Sequence, residues 1–286
     1  MKNFFALLML LRPKQWVKNS FVAAPLFFAL KVDQLPAWEA SIAAVAAFTF
    51  IASAIYVLND VRDREEDRLH PVKKHRPIAA GTVKIPTATF LATLLLAFGF
   101  LITSVLPKAC FYVIVTYILM NIGYSFFIKR IAILDVITIA LGFVLRVLMG
   151  AYAIEVVVSP WIILSTFLLA LFLGFGKRLH EYNITNAKSR QALSGYNREF
   201  LDKLINATCA TSLISYAIYA VEVAQRMGKT NFVFTVFFVA FGLFRYLQFL
   251  YLNKEGGSPE SILYTDRLFI ANILAWLITC VWILGA

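Results

Sequence analysis

Apolar residues run in long blocks along this chain, interrupted at intervals by short polar stretches. Blocks of roughly 20 apolar residues are long enough to cross a bilayer as helices. Nine such spans are predicted, at about 19–35, 39–59, 87–106, 109–128, 131–154, 160–177, 206–225, 230–251 and 265–285. Pro107, Pro160 and the turn "RMGKTN" mark short connections. Two connections are long and polar, about 60–86 and 178–205, each after an even-numbered span. Their spacing hints at two related halves within one membrane domain, residues 1–286. The opening "MKNFFALLMLLRPKQWVKNS" has a Lys and a short apolar run, as a signal peptide does, but no small-residue cleavage site. It is predicted to be a retained interfacial segment ahead of the first span.

Composition agrees. The 286 residues are 60% hydrophobic and 15% charged, with a mean hydropathy of +0.76. A soluble domain would be about 45–50% apolar and about 25% charged. The expected class is therefore an all-α polytopic membrane protein. Its net charge of +11 would suggest nucleic acid on a soluble protein, but membrane topology explains it first, so no nucleic-acid partner is expected. With the N-terminus inside, only Lys31, Lys108, Arg226 and Lys229 of the 27 Lys and Arg fall outside, and Arg146 lies within a span. That bias predicts a cytoplasmic N-terminus and puts both long connections on the cytoplasmic side of the inner membrane. Cys110, Cys209 and Cys280 lie scattered in apolar runs and read as packing residues. The three histidines do not cluster, so no zinc site is expected.

Charge gathers where the second span ends. "YVLNDVRDREEDRLHPVKKHRPIAAG", Tyr56 to Gly81, holds five carboxylates and six Lys and Arg. Asn59, Asp60, Asp63 and Asp67 read as NDxxDxxxD, which on a helix puts the three aspartates on one face. Carboxylates so placed need a positive partner, and Mg²⁺ is often held by one or two carboxylates plus substrate phosphates. The spacing therefore suggests a Mg²⁺–diphosphate site. A solvated loop in which Arg62, Arg64 and Arg68 neutralise the acids explains the same residues equally well. Lys73, Lys74 and Arg76 follow directly and could hold phosphate oxygens left free by a metal.

This stretch resembles the first Asp-rich motif and following loop of the UbiA superfamily of intramembrane prenyltransferases, and "YSFFIKR", Tyr124 to Arg130, resembles their Tyr/Lys segment. The resemblance implies a nine-helix UbiA-type bundle with a Mg²⁺–diphosphate site facing the cytoplasm. Members that transfer prenyl groups carry a second motif, DxxxD, after the sixth span. Here "GFGKRLHEYNITN" stands in that place, with Lys177, Arg178 and His180, and Glu181 as its one acid. "RPKQWVKN", "LDVITIALGFVLRVLMGA", "GKRLHEY", "REFLDKLI" and "GGSPESILYTDRL" together look like the branch of decaprenyl-phosphate phosphoribosyltransferases. Members of that branch move 5-phosphoribose from phosphoribosyl diphosphate (PRPP) to a polyprenyl phosphate and release diphosphate. One metal cluster with many cations suits a donor with a diphosphate and a 5-phosphate, and an acceptor that is already an oxyanion.

On this reading Asn59, Asp60, Asp63 and Asp67 are candidate metal ligands, with Asp60 and Asp63 central to the chemistry. Candidates for substrate phosphates are Lys14, Lys18, Lys73, Arg76, Tyr124, Lys177 and Arg178. Lys129, Arg146 and Glu181 complete the catalytic candidates, Glu181 toward ribose hydroxyls or a metal-bound water. Several have plainer readings. Lys14 and Lys18 could anchor the chain on anionic lipids, Lys129 could mark a span end, and Arg146 could form a salt bridge with an acid on another helix instead of lining a substrate cavity. Two rival functions stand beside the first. One is a prenyltransferase joining a polyprenyl diphosphate to an aromatic acceptor, and the other is a transporter of an anionic metabolite, for which broken helices near the midplane would be expected. The 26 Phe residues read as packing and lipid-facing positions, some of them candidates for an isoprenoid groove or for contact between copies in a homo-oligomer.

Overall fold

The computed structural model describes residues 2–69, 73–185, 191–253, 262 and 265–285, and among these every regular element is helical. Eleven α-helices follow in chain order. They are α1 Lys2–Leu10, α2 Ser20–Phe28, α3 Leu35–Arg62, α4 Arg64–Leu69, α5 Ile85–Thr103, α6 Lys108–Phe126, α7 Leu134–Ala153, α8 Pro160–Thr185, α9 Arg198–Met227, α10 Thr235–Gln248 and α11 Arg267–Gly285. Eight segments among the described residues are long and apolar enough to cross a membrane, α10 counting together with its flanking helical turns as Thr230–Leu252.

The stretch expected as the first span, 19–35, is built differently. A 3₁₀ helix, Pro13–Asn19, leads into it, and its own helical part is α2 of 9 residues. At 1.5 Å per residue α2 covers about 14 Å, half the hydrocarbon core. Pro25 removes a backbone donor inside it, and Leu30, at φ 55, takes the left-handed conformation that ends it.

The chain divides into two compact units. The first comprises residues 1–126 and 145–157. Its longest helix, α3, is rich in Ala and packs closely along α5. A Cβ on Gly99 would fall 2.7 Å from the Ile51 side chain. Small residues let helices approach where lipid offers no hydrophobic drive of its own. The second part of α7 meets α2 closer still, since a Cβ on Gly150 would lie 1.8 Å from the Val22 carbonyl oxygen. Phe48, Ile51, Ile114, Tyr117 and Met149 fill one core of this unit. Leu10, Ala54, Val57, Ile78, Val83 and Ala88 fill another. That second core uses Ile78 of "PIAAG" and Val83, so residues 77–83 of the long connection have a buried apolar underside.

The second unit comprises residues 127–144 and 158–286. Here α8 and α9 pack along one another, and Val136, Phe172, Phe175, Leu179, Leu201, Ile205 and Tyr246 form the core. The second long connection is shorter than predicted, because α8 continues to Thr185 and α9 begins at Arg198. Sequence explains the α9 ends. The Asn197 side chain accepts from Phe200 N at 2.7 Å as an N-cap, and Gly228, at φ 66, closes the C-terminus.

Candidate active site

Asn59 and Asp60 sit on the last turn of α3, Asp63 caps it, and Asp67 lies on α4. The predicted single helix is thus interrupted at Asp63, yet the turn preserves the convergence of Asp60 and Asp67. Both are buried, each 3% exposed. Arg76 joins them, its Nη1 donating to Asp60 Oδ1 at 2.9 Å and to Asp67 Oδ2 at 2.7 Å. Asn59 Oδ1 accepts from the Ser125 hydroxyl at 2.6 Å, which fixes the amide beside the pair. Asp63 is half-buried. Glu65, on the outer side of α4, is held below the ordinary carboxylate range by hydrogen bonds first from Arg64 and then from Arg68. The neutralisation by Arg64 and Arg68 foreseen for a plain charged loop therefore applies to Glu65. Asp60 and Asp67 pair instead with Arg76, from the turn that follows.

The turn after α4 delivers Arg76. Ile78, Ala79 and Val83 are buried beneath it. Thr82 Oγ1 and Val83 N both donate to Pro77 O, at 2.9 and 3.1 Å, and Gly81 takes φ 74 to close the turn. Arg68 Nε donates to Ala79 O at 3.2 Å. Lys73, three residues before Arg76, is exposed on a 3₁₀ turn.

A second guanidinium reaches the same carboxylate from the N-terminal segment. Arg12 donates to Asp60 Oδ1 and lies over the Tyr56 ring at 5.2 Å. Arg12 was not among the sequence candidates, although "RPKQWVKN" contains it. No local spacing links residues 12 and 60, and only the tertiary fold brings them together. Lys14 and Lys18 follow on the 3₁₀ helix, Lys14 exposed and Lys18 half-buried. Positions four apart share a face on an α-helix, but a 3₁₀ helix advances about 120° per residue, so the two lysines sit about a third of a turn apart. Tyr124, near the end of α6, is half-buried.

Arg146, on the part of α7 that belongs to the first unit, is 4% exposed. Its Nε donates to Asn19 Oδ1 at 3.0 Å and its Nη2 to the Tyr117 hydroxyl at 3.1 Å. It also faces the rings of Phe48 and Tyr117 at 4.9 and 5.2 Å. Neutral oxygens and aromatic faces satisfy a buried guanidinium without an acid in these contacts.

The second unit holds a separate charged group. Arg178, 1% exposed, donates through Nε to Asp135 Oδ2 at 2.8 Å and pairs through Nη1 with Glu181, one turn on along α8. Asp135, fully buried, also accepts from the Tyr196 hydroxyl at 2.9 Å, and that hydroxyl accepts from Ile133 N at 2.5 Å. Burial first and the Asp135 charge second push the Tyr196 phenol well above its usual range, so it stays a donor. The Arg178 guanidinium is thus held between the carboxylates of Asp135 and Glu181 in this structure. Neither Asp135 nor Tyr196 stood among the sequence candidates, because their meeting spans 61 residues. Lys177 and Lys129 are half-buried, Lys129 on the 3₁₀ turn Ile128–Arg130.

Among the described residues, the first group offers hard oxygens to a divalent cation. Among the described residues, no three His, Cys, Asp or Glu side chains gather into a closed metal-binding set. Mg²⁺ seldom needs one, because it keeps waters and substrate phosphates as ligands. Asp60 and Asp67 offer hard oxygens that converge on one position, and a guanidinium nitrogen marks that position as one where positive charge is stable. The donor set therefore fits.

The UbiA prenyltransferase family model matches residues 20–282. The chain is 34% identical over 278 residues to the decaprenyl-phosphate phosphoribosyltransferase of Corynebacterium glutamicum, covering 93% of this chain and 82% of that one. To the protein of the same name from Mycobacterium tuberculosis it is 32% identical over 285 residues, covering 94% and 91%. Among solved structures, a UbiA homologue from Archaeoglobus fulgidus bound to GPP and Mg²⁺ shares the fold, with a TM-score of 0.77, 18% identity and coverage of 98% of this chain and 100% of that one. Matched along most of its length by the family model and by named relatives above 30% identity, the chain is a transferase and belongs to the UbiA prenyltransferase family.

Proposed function

We propose that this membrane enzyme transfers 5-phosphoribose from PRPP to a polyprenyl phosphate and releases diphosphate, with Mg²⁺ as cofactor. The observation that carries the reading is the convergence of Asp60 and Asp67 on one cation position beside two arginines. The names of the relatives from Corynebacterium and Mycobacterium support the donor and acceptor, and the Mg²⁺ of the Archaeoglobus homologue supports the metal. The lysine and arginine at 177–178, where prenyl-transferring members are expected to carry an aspartate motif, favour it over transfer of a prenyl group to an aromatic acceptor.

In this reading Asp60 and Asp67 hold the cation, with Asp63 and Asn59 beside them. Bound Mg²⁺ would offset the negative charge that grows on the departing diphosphate. Arg76 and Lys73 bind phosphate oxygens of the donor, and Lys14, Lys18, Tyr124 and Arg146 are further substrate contacts. Lys129, Lys177 and Glu181 enter as candidates through the likeness to the relatives alone. The bond from ribose C1 to the diphosphate oxygen breaks, and a phosphate oxygen of the lipid forms the new bond to C1. That oxygen is already deprotonated at neutral pH, so no general base is needed. In-line attack inverts C1, and a product with the donor's anomeric configuration would contradict it. The charge bias of the chain supports a site on the cytoplasmic face of the inner membrane.

The test is release of diphosphate by purified protein given PRPP, a polyprenyl phosphate and Mg²⁺. Release that requires all three supports the reading. Release from a polyprenyl diphosphate and an aromatic acid instead would favour the general prenyl transfer, and no chemistry with any donor would favour a transporter.

A further inference from the structure

The oxygen of Asp60 best placed for a cation is already shared. Oδ1 accepts from Arg76 Nη1 at 2.9 Å and from the Arg12 guanidinium. Two guanidinium groups thus neutralise two buried carboxylates. Arg76 comes from the turn that closes the same loop. Arg12 comes from 48 residues earlier, and its approach is built by several contacts. The Leu11 carbonyl, one residue before it, accepts from the Trp16 indole at 3.0 Å and the Ser53 hydroxyl at 3.2 Å. Trp16 Nε1 also reaches the Ser53 hydroxyl at 3.2 Å. Between these anchors Arg12 is held at φ 51, ψ 61, a left-handed conformation that costs a non-glycine residue about 1 kcal/mol or more. Its side chain is 26% exposed while that of Asp60 is 3% exposed, so Arg12 lies on the outer side of the pair.

We propose that Arg12 is a diphosphate-binding residue that serves, until substrate arrives, as the counter-ion of Asp60, and that it exchanges this carboxylate for the diphosphate when metal and diphosphate enter together. The inference rests on the metal–diphosphate reading of Asp60 and Asp67. A divalent cation entering alone must displace a guanidinium and leave it without an anion, in a cluster that then carries excess positive charge. A diphosphate entering alone meets guanidinium groups already neutralised by carboxylates. Entering together, the cation takes the carboxylates and the diphosphate takes the arginines. Each component therefore raises the affinity of the other, by the same factor in both directions. The enzyme holds metal weakly until the donor is present.

Binding of Mn²⁺ to the full-length protein in detergent, read by electron paramagnetic resonance with and without inorganic diphosphate, tests this without turnover. The unmodified protein should bind Mn²⁺ weakly alone and about tenfold more tightly with diphosphate. Absence of that enhancement overturns the proposal whatever the variants do. Arg12→Gln should bind Mn²⁺ alone more tightly than the unmodified protein and lose most of the enhancement. Arg12→Lys, which keeps the charge, should retain it. Weaker Mn²⁺ binding by Arg12→Gln with an unchanged thermal midpoint, or an unchanged enhancement, contradicts the exchange. Asp60→Asn separates the two levels of the argument. If it abolishes Mn²⁺ binding while Arg12→Gln keeps the full enhancement, only the role of Arg12 fails. If it binds Mn²⁺ as the unmodified protein does, the assignment of the metal to Asp60 fails.

Discussion

Arg178 Nε lies 2.8 Å from Asp135 Oδ2, with both side chains shut away from solvent. The expected consequence is mechanical. Arg178→Met leaves a buried carboxylate uncompensated, which costs about 3–5 kcal/mol in comparable pairs. Thermal unfolding in detergent should show a large loss, and Asp135→Asn combined with Arg178→Met should recover much of it. A folded Arg178→Met with a normal midpoint and weakened substrate binding would instead place Arg178 among the phosphate contacts.

Tyr196→Phe removes one hydroxyl that both accepts from Ile133 N and donates to Asp135. A backbone donor of an exposed turn and the buried Asp135 carboxylate each lose a partner, at about 1–3 kcal/mol for a buried group left unsatisfied. Ile133 is held at φ 70, so this contact also secures a strained turn. The expected readouts are a lower midpoint and faster hydrogen exchange at residues 127–133. A midpoint unchanged from the unmodified protein would remove the pinning role.

Gly150→Ala sets a methyl where the Val22 carbonyl oxygen already stands, 1.8 Å away. Backbone must move, and overpacking of this kind costs about 1–3 kcal/mol or more. The thermal midpoint should fall clearly. Gly228→Ala is a useful contrast, because nothing lies within 4 Å of its Cβ position and its cost comes from φ 66 alone.

Much of the architecture was legible in the chain. Long apolar blocks define α3, α5, α6, α7, α8, α9 and α11, with Pro107 and Pro160 marking the starts of α6 and α8, because span length is a direct consequence of bilayer thickness. The block at 19–35 holds the short helix α2, an interruption that hydropathy does not register because it ignores what Pro25 and the left-handed Leu30 do to a helix. The motif at 59–67 located the carboxylates, and "KKHRPIAAG" located Arg76. What sequence could not supply were the partners set by tertiary contact, namely Arg12 on Asp60, Tyr196 on Asp135 and Asn19 on Arg146. Lys177 and Arg178 looked alike as neighbours in one basic pair, yet a helix turns about 100° between adjacent residues, and that sends Arg178 into the core. Most of "GGSPESILYTDRL", residues 256–268, lies outside the described residues.

Metal removal should silence the enzyme reversibly. Protein stripped with a chelator is expected to lose transfer and to regain it with Mg²⁺, while the fold persists because Arg12 and Arg76 already neutralise Asp60 and Asp67. Comparing the thermal midpoint before and after chelation checks the second half of this expectation. A collapse of the midpoint on chelation would mean that the carboxylates depend on the metal for folding.

The most direct measurement of the central claim is a transfer assay. Detergent-purified protein is incubated with PRPP labelled in the ribose, Mg²⁺ and a polyprenyl phosphate, and the organic phase is counted. The account expects lipid-borne label with the unmodified protein and its loss by about a hundredfold or more in Asp60→Asn and Asp67→Asn, as for removal of a principal charge-stabilising group. Lipid-borne label that persists undiminished in both variants, or no label at all beside active prenyl transfer to an aromatic acid, would contradict it.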